Sequence, residues 1–444
     1  MKRRGNTLPS WVLTLLVALG LFLIVFIAEV TGIISRYWYQ VIQLAAITAI
    51  SALGLNLIYG FNGQFSLGHV GFYAIGAYGS ALISKDFVAT WSGTKVGALS
   101  WIVAGQLGFL LTLLASHWLH IGTIREAVST WMGDDLPSHE RWMIVNLVSL
   151  VLVAIAIAVG VVAAWQLKSV IAAILGGLIP PLPTKLGQRV IFILALLNGG
   201  TLAALLAYIV GLPLLRLGSD YFGIATLGLA IMIYTALQNS DLVIATMKGA
   251  RGMVGIPLLS NWIWVFIALV ATIVIMRNLI YSSHGRAVVS VREDEVAART
   301  MGIRVTRWKA LSFAFGGFFA GIAGGLYAHL YGFLHPSSFN VVKGFDPLII
   351  IVFGGLGSMT GTLVASGLFA LIIEGLRVVL PDGFEDWRFV IYPILLLLIM
   401  LLRQEGLLGT SEWGWLKAPA PPERPSATPA SGDDENMTKK ETRE

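Results

Sequence analysis

The sequence of 444 residues contains no cysteine, which excludes disulfide bonds and thiolate metal ligands. Charged residues are also scarce, at 12% of the chain, whereas soluble domains carry roughly 25%. The motifs G-x-x-x-x-G-K-[ST], H-E-x-x-H and G-x-S-x-G are all absent. ATP binding by a phosphate loop, a zincin site and a nucleophile elbow therefore have no motif here. The sequence predicts no catalytic residue, no metal site and no cofactor.

Apolar residues make up 56% of the chain, and its mean hydropathy is +0.79. Many apolar runs are about 20 residues long, the length that crosses a bilayer as a helix. We therefore expect an all-α polytopic membrane protein with about 10–12 transmembrane helices. The formal charge of +6 does not indicate nucleic-acid binding, because the basic residues lie mainly between apolar runs and at the ends. The candidate spans are 11–30, 38–59, 69–84, 97–116, 143–165, 190–210, 221–238, 261–280, 310–331, 345–357, 361–380 and 389–403.

Charge sets the expected orientation and the division of the chain. The segment 284–309 contains six Lys and Arg residues, which favours the cytoplasmic side. Counting spans from there puts both termini in the cytoplasm as well, and the first span is expected to be retained. The predicted divisions are 1–37 with the first span, core 38–84, an inserted region 85–190 with extra spans, core 191–411 and a disordered tail 412–444. An apolar piece at 169–183 is expected to be interfacial or re-entrant.

The loop 117–142 combines three histidines with nearby carboxylates, which raises the question of a metal site. His117, His120 and His139 match no compact ligand spacing. Interfacial loops commonly collect such residues, so we expect no metal in this loop.

Two glycine-rich stretches, 54–78 and 349–367, interrupt apolar helices. Polar side chains at membrane depth are costly unless they face partners or a watery cavity, and broken helices are tolerated only in such places. The stretches therefore predict breaks near the midplane along a transport path. The alternative is close helix packing through small residues. The candidate path residues in the first break are Asn62, Gly63, Gln64, Ser66 and His69. Gly354, Gly357 and Gly361 in the second break echo Gly60, Gly63 and Gly68, as in a faint internal repeat.

The charged segment 284–309 predicts one short surface helix. A capping box of Ser290 and Glu293 would begin it, and Gly302 would end it with a left-handed residue. Its face with Val291, Ala298 and Met301 is suited to pack into a partner's groove. The alternative is a solvated loop between two spans.

Several of these motifs together resemble the LivM-type membrane permeases of branched-chain amino-acid ABC transporters, from about residue 38 to 403. The residues that resemble the family are Leu55-Asn56-Leu57, Gly63 to His69, Gly211-Leu212-Pro213, Gly218 to Tyr221, Arg292 to Glu295, Ala297-Ala298, Met301-Gly302-Ile303 and Gly354 to Ser358.

The resemblance implies a permease subunit in the bacterial inner membrane. Its partners would be a related permease, two cytosolic ATPases and an extracytoplasmic solute-binding protein. It also implies that the helix 290–302 is the coupling helix that docks on an ATPase, through Ser290, Glu293, Asp294, Glu295, Ala297, Ala298 and Gly302.

Other functions stay open at this point. The region 85–190 is longer than the family pattern, and related permeases carry urea or short amides, so the solute is not decided. A secondary transporter would need ionisable groups at membrane depth, for which His69 and Glu374 are the candidates. A membrane scaffold without transport is the third hypothesis.

Overall fold

The computed structural model of the protein describes residues 22–89, 138–178, 184–215 and 219–379 without interruption, together with Gly20 and short pieces within 100–128 and 387–416. A helix over 22–30 is followed by eleven labelled helices. These are α1 (Arg36–Asn56), α2 (His69–Ala89), α3 (Ser138–Leu178), α4 (Thr184–Leu214), α5 (Ser219–Gln238), α6 (Trp262–Tyr281), α7 (Ser283–Glu293), α8 (Glu295–Thr300), α9 (Val305–Tyr331), α10 (Val341–Gly354) and α11 (Met359–Val379).

Eight helical segments in the described residues are long and apolar enough to cross a membrane. This confirms the predicted all-α polytopic class. In the same residues, the only strands are two short ones, β1 (Met253–Val254) and β2 (Phe333–Leu334). They pair antiparallel, with Met253 opposite Leu334, and tie together the connections that follow α5 and α9.

Helix α9 lies at the centre of the bundle, packed against α1, α2 and α4. Small residues allow this close approach. A Cβ atom added to Gly76 would lie 2.2 Å from the Cα atom of Gly321, and one added to Gly317 would lie 2.7 Å from the Cβ atom of Ala207. Small-residue packing, the alternative considered for the glycines, therefore explains Gly76, which falls within the first stretch.

Contacts along α9 give the directions of its neighbours. Helix α2 runs parallel to α9, because its first residue lies near Phe319 and Gly54, while Ser84 hydrogen-bonds to His329. Helix α4 runs antiparallel, because Gly200 lies against Ile322 and Gly211 against Phe313. We call the end of the bundle where α9 begins, next to residues 284–309, the loop end, and the opposite end the far end.

Two predicted boundaries are wrong. The span 143–165 and the separate piece 169–183 are joined in α3, a single helix of 41 residues that ends before Pro180. No glycine or proline lies between Trp165 and Ser169, so nothing interrupts the helix there. At 1.5 Å per residue α3 is about 62 Å long, twice the thickness of a bilayer core.

The predicted tail also begins too early, because Glu412 and Trp413 hydrogen-bond to the start of α11 and Leu416 is buried. The spans 11–30, 97–116 and 389–403 and the loop 117–142 lie wholly or partly outside the described residues.

Candidate functional site

The first break separates α1 from α2. Helix α1 passes into a π-helical turn, Leu57–Phe61, and residues 62–68 form an irregular, non-helical connection before α2 begins at His69. Gly63 has a φ of +73°, and its N–H donates to the carbonyl of Tyr59 at 3.0 Å. Left-handed backbone is readily adopted only by glycine, so Gly63 allows the helix to end here.

The predicted path residues of this break are buried together. Exposure is 2% for Asn62, 5% for Gln64, 1% for Ser66 and 1% for His69. His69 Nε2 lies 2.8 Å from the carbonyl oxygen of Ser51. The remaining polar atoms of these four side chains, including His69 Nδ1, have no hydrogen-bond partner among the described residues. Each such buried group costs about 1–3 kcal/mol, so the break holds an unusual concentration of unsatisfied polar atoms.

The second break lies against the first. Helix α10 ends at Gly354, and Gly355 and Gly357 have φ values of +116° and +83° before α11 begins. Asn56, the last residue of α1, is fully buried and joins the two breaks. Its Nδ2 donates to the Ser358 carbonyl at 2.9 Å and to Thr362 Oγ1 at 3.0 Å. Its Oδ1 accepts from the Gly357 N–H at 3.0 Å.

A C-terminal segment, described at residues 405–409 and 411–413, packs on the second break. The Leu407 N–H donates to the Phe353 carbonyl at 2.8 Å. The Glu412 carboxylate accepts from the backbone N–H groups of Met359 at 2.5 Å and Thr360 at 3.0 Å, the first two residues of α11. A carboxylate is stabilised at this end of a helix by the free N–H groups and the helix dipole. Composition alone places Glu412 in the predicted tail, and no local motif marks it as a cap.

The charged segment forms two helices, so the predicted capping box is wrong. Ser282 begins α7, accepting from the N–H groups of His284 and Gly285 at 3.2 Å each. Ser290 therefore lies inside α7, where its hydroxyl donates to the Ala287 carbonyl at 2.9 Å. Asp294 is the cap of α8, accepting from Val296 N–H at 2.7 Å and Ala297 N–H at 3.0 Å.

The predicted docking face is also partly wrong. Val291 and Ala298 are buried and pack against Val305, so they hold α7 and α8 to the start of α9. The exposed apolar side chains of this segment are those of Val296, 72% exposed, and Met301, 81% exposed. Gly302 ends α8 with a φ of +80°, as predicted, and a Cβ atom added to it would lie in open space.

Arg292 links this segment to both breaks. Its Nη1 donates to the carbonyl oxygen of Gly60 at 2.5 Å. A Cβ atom on Gly63 would lie 3.3 Å from Arg292 Cγ, and one on Gly357 would lie 3.0 Å from Arg292 Nη1. The structure therefore places Gly60, Gly63 and Gly357 around one arginine side chain at the loop end.

Glu374, one of the two candidate ionisable groups for a secondary transporter, lies at the far end. It accepts a 2.5 Å hydrogen bond from the Tyr37 hydroxyl, and its Oε2 lies 3.7 Å from Arg377 Nη1. His69 lies instead beside Ser51 of α1. Ser51 is 14 residues further along α1 than Tyr37, a distance of about 21 Å along the helix at 1.5 Å per residue. The structure does not bring the two candidate proton carriers together.

Comparison with known proteins adds to this geometry. The family model described as "Branched-chain amino acid transport system / permease component" matches residues 37–170 and 143–400. The chain belongs to this permease family. Together the matched ranges include both breaks, the segment 284–309 and the whole of the long α3. The resemblance inferred from the motifs is thus confirmed.

Curated relatives agree with the family. The chain is 30% identical over 243 residues to the high-affinity branched-chain amino acid transport permease LivM of Salmonella typhimurium, a match that covers 47% of this chain and 55% of that protein. It is 29% identical to LivM of Escherichia coli with the same coverage. It is 32% identical over 151 residues to LivH of Escherichia coli, covering 34% of this chain and 47% of that protein. The chain thus spans about half the length of these relatives, and no solved structure matches it.

Proposed function

We propose that this permease is the membrane-spanning subunit of an ABC importer for branched-chain or similar amino acids in a bacterial inner membrane. One observation supports this most strongly. Two broken helices meet through Asn56, and the first break buries Asn62, Gln64, Ser66 and His69 with unsatisfied polar atoms. A solute moving along such a break would exchange hydrogen bonds with water for bonds with these side chains.

The polar groups of the first break suit a small solute with hydrogen-bonding groups. Asn62 and Gln64 each offer both donors and acceptors, and Ser66 offers one hydroxyl. The ammonium and carboxylate of an amino acid would use acceptors and donors respectively, while the surrounding apolar helices suit an aliphatic side chain. High affinity is assigned to the solute-binding protein, so the permease site needs only weak binding.

The proposed partners are a related permease subunit, two cytosolic ATPases and an extracytoplasmic solute-binding protein. The segment 284–309 would face the cytoplasm, together with both termini, because of its basic residues. Val296 and Met301 are the exposed apolar side chains of the coupling segment that would enter an ATPase groove. Ala297 lies beside Val296, while Ser290 and Ala298 support the segment from within.

The alternative functions would each need a different feature of the structure or a different solute. A proton-coupled secondary transporter would need an ionisable relay, but Glu374 pairs with Tyr37 and Arg377, about 21 Å along α1 from His69. A permease for urea or short amides could use the same polar break. The transported solute separates this alternative from the amino-acid proposal.

The experiment is uptake by proteoliposomes that contain the permease pair and the ATPases, with the binding protein outside. We expect leucine uptake that requires ATP and the binding protein. Gln64→Leu and Ser66→Val should each lower uptake about 5- to 100-fold, the equivalent of losing one or two hydrogen bonds, while assembly persists. Thr48→Val is the matched control, because the Thr48 hydroxyl is already bonded to Leu44 of its own helix at 2.8 Å.

Three results would contradict the proposal. Uptake driven by a proton gradient without ATP would favour a secondary transporter. Uptake of urea with no uptake of amino acids would change the solute. Wild-type transport rates in both Gln64→Leu and Ser66→Val would remove the first break from the path and leave it with a packing role.

A further inference from the structure

Arg292 belongs to neither the polar lining nor the exposed docking surface, yet its side chain connects them. It lies one residue before the end of α7, and its guanidinium reaches the first break, where Nη1 hydrogen-bonds to the Gly60 carbonyl at 2.5 Å. That carbonyl belongs to the π-helical turn, just before the non-helical residues 62–68 that carry the unsatisfied polar side chains.

Both breaks leave room for this side chain. A Cβ atom on Gly357 would lie 3.0 Å from Nη1, so glycine there lets the guanidinium approach. The N–H of the same Gly357 donates to Asn56 Oδ1. A displacement of the guanidinium therefore bears directly on Gly60 of the first break and on Gly357 of the second, which is also the residue whose N–H Asn56 binds.

Several contacts hold α7 and α8, the helices next to Arg292, to each other and to α9. Val291 and Ala298 pack together against Val305, and the Asp294 side chain caps α8 directly after α7. Lys309 of α9 pairs with Glu295 of α8. Because side chains of α7 and α8 pack together and Asp294, directly after α7, caps α8, the two helices move as one unit. A force on the exposed Val296 and Met301 is therefore transmitted to Arg292.

We propose that Arg292 is the positioning residue through which movement of the α7–α8 unit reaches the two helix breaks. This inference rests on the proposed function, because it requires an ATPase that moves the unit. An arginine suits the role, since its planar guanidinium carries several donors and forms strong charge-assisted bonds to a carbonyl oxygen. Pulling the Gly60 carbonyl would change the π-helical turn and so the lining that follows it.

The test measures leucine uptake and ATP hydrolysis in the same proteoliposomes, with the binding protein present. Arg292→Ala should assemble with the ATPases and hydrolyse ATP, because Val296 and Met301 are unchanged. The number of leucine molecules taken up per ATP should fall by roughly tenfold or more, the effect of one charge-assisted hydrogen bond. Arg292→Lys keeps the charge with fewer donors and should give an intermediate ratio.

Arg299→Ala is the matched control. Arg299 lies on α8, its side chain is 65% exposed, and its Nη2 lies 3.7 Å from Glu295. Its removal takes away the same charge from the same segment without touching a break, so the ratio of uptake to hydrolysis should stay at the wild-type value.

The possible outcomes distinguish failure of the inference about Arg292 from failure of the proposed function. A wild-type ratio in Arg292→Ala, or a parallel fall of uptake and hydrolysis, overturns the inference, because the residue then has no role or only a structural one. If Arg292→Ala does not assemble, Arg292→Lys decides, and a wild-type ratio there overturns the inference. If the wild-type protein shows no uptake that depends on ATP, the proposed function itself fails, and the inference with it.

Discussion

Replacing Asn56 by leucine removes the hydrogen bonds that join the two helix breaks. Asn56 is fully buried and forms three bonds, two from Nδ2 and one to Oδ1. Leucine has the same branched arrangement of side-chain non-hydrogen atoms but no polar atom. The substitution therefore tests the bonds themselves and creates little cavity.

The magnitude follows from the partners that remain. The Ser358 carbonyl keeps a 2.8 Å bond from Thr362 Oγ1, so its loss is modest. The Gly357 N–H loses the acceptor that lies 3.0 Å away and is left unsatisfied. One orphaned donor costs about 1–3 kcal/mol and each of the two remaining bonds roughly 0.5–1.5 kcal/mol, so we expect a loss of about 2–6 kcal/mol.

Unfolding of the purified protein in detergent, followed by tryptophan fluorescence, measures this loss, and uptake measures its consequence. Thr362→Val is the matched control, because it removes one of the three Asn56 bonds, together with the Thr362 bond to the Ser358 carbonyl, with almost no change of volume. It should cost about 1–3 kcal/mol. The expected order of stability is wild type, Thr362→Val and then Asn56→Leu. An Asn56→Leu protein as stable as the wild type, with wild-type uptake, would refute the idea that Asn56 connects the two breaks.

The other predictions concern caps and docking. Asp294→Ala should destabilise α8 by about 1 kcal/mol, detected as faster amide exchange at Val296, whereas Ser290→Ala should leave that exchange unchanged; the reverse order would restore the capping box. Glu412→Ala should lower the free energy of unfolding by about 1–2 kcal/mol, and an unchanged value would show that the C-terminal segment does not stabilise α11. Val296→Glu should abolish co-purification of the ATPases, while Leu242→Glu, an 83% exposed apolar residue at the far end, should not; retained ATPases with Val296→Glu would place docking elsewhere.

Composition and motifs already determined the class of this protein and its family. Apolar runs of span length can satisfy their backbone groups in lipid only as helices, which explains why the polytopic fold was predictable. Local chemistry also predicted the left-handed stop at Gly302 and the break around Gly63, because both depend on one residue's backbone freedom. The buried polar cluster of Asn62, Gln64, Ser66 and His69 followed from the high cost of placing such residues at membrane depth.

Only the tertiary structure decided which residues meet across the chain. Ser290 and Asp294 both have good capping chemistry, and Ser282 begins the helix earlier because α6 ends at Tyr281. Ala298 and Met301 looked alike as members of one helix face, but packing against Val305 buries the first and leaves the second exposed. The bonds from Asn56 to Ser358, from Arg292 to Gly60 and from Thr360 to Glu412 join positions 302, 232 and 52 residues apart. Neither helical periodicity nor a local motif extends over such separations, so these contacts depend on how the packed helices bring the breaks together.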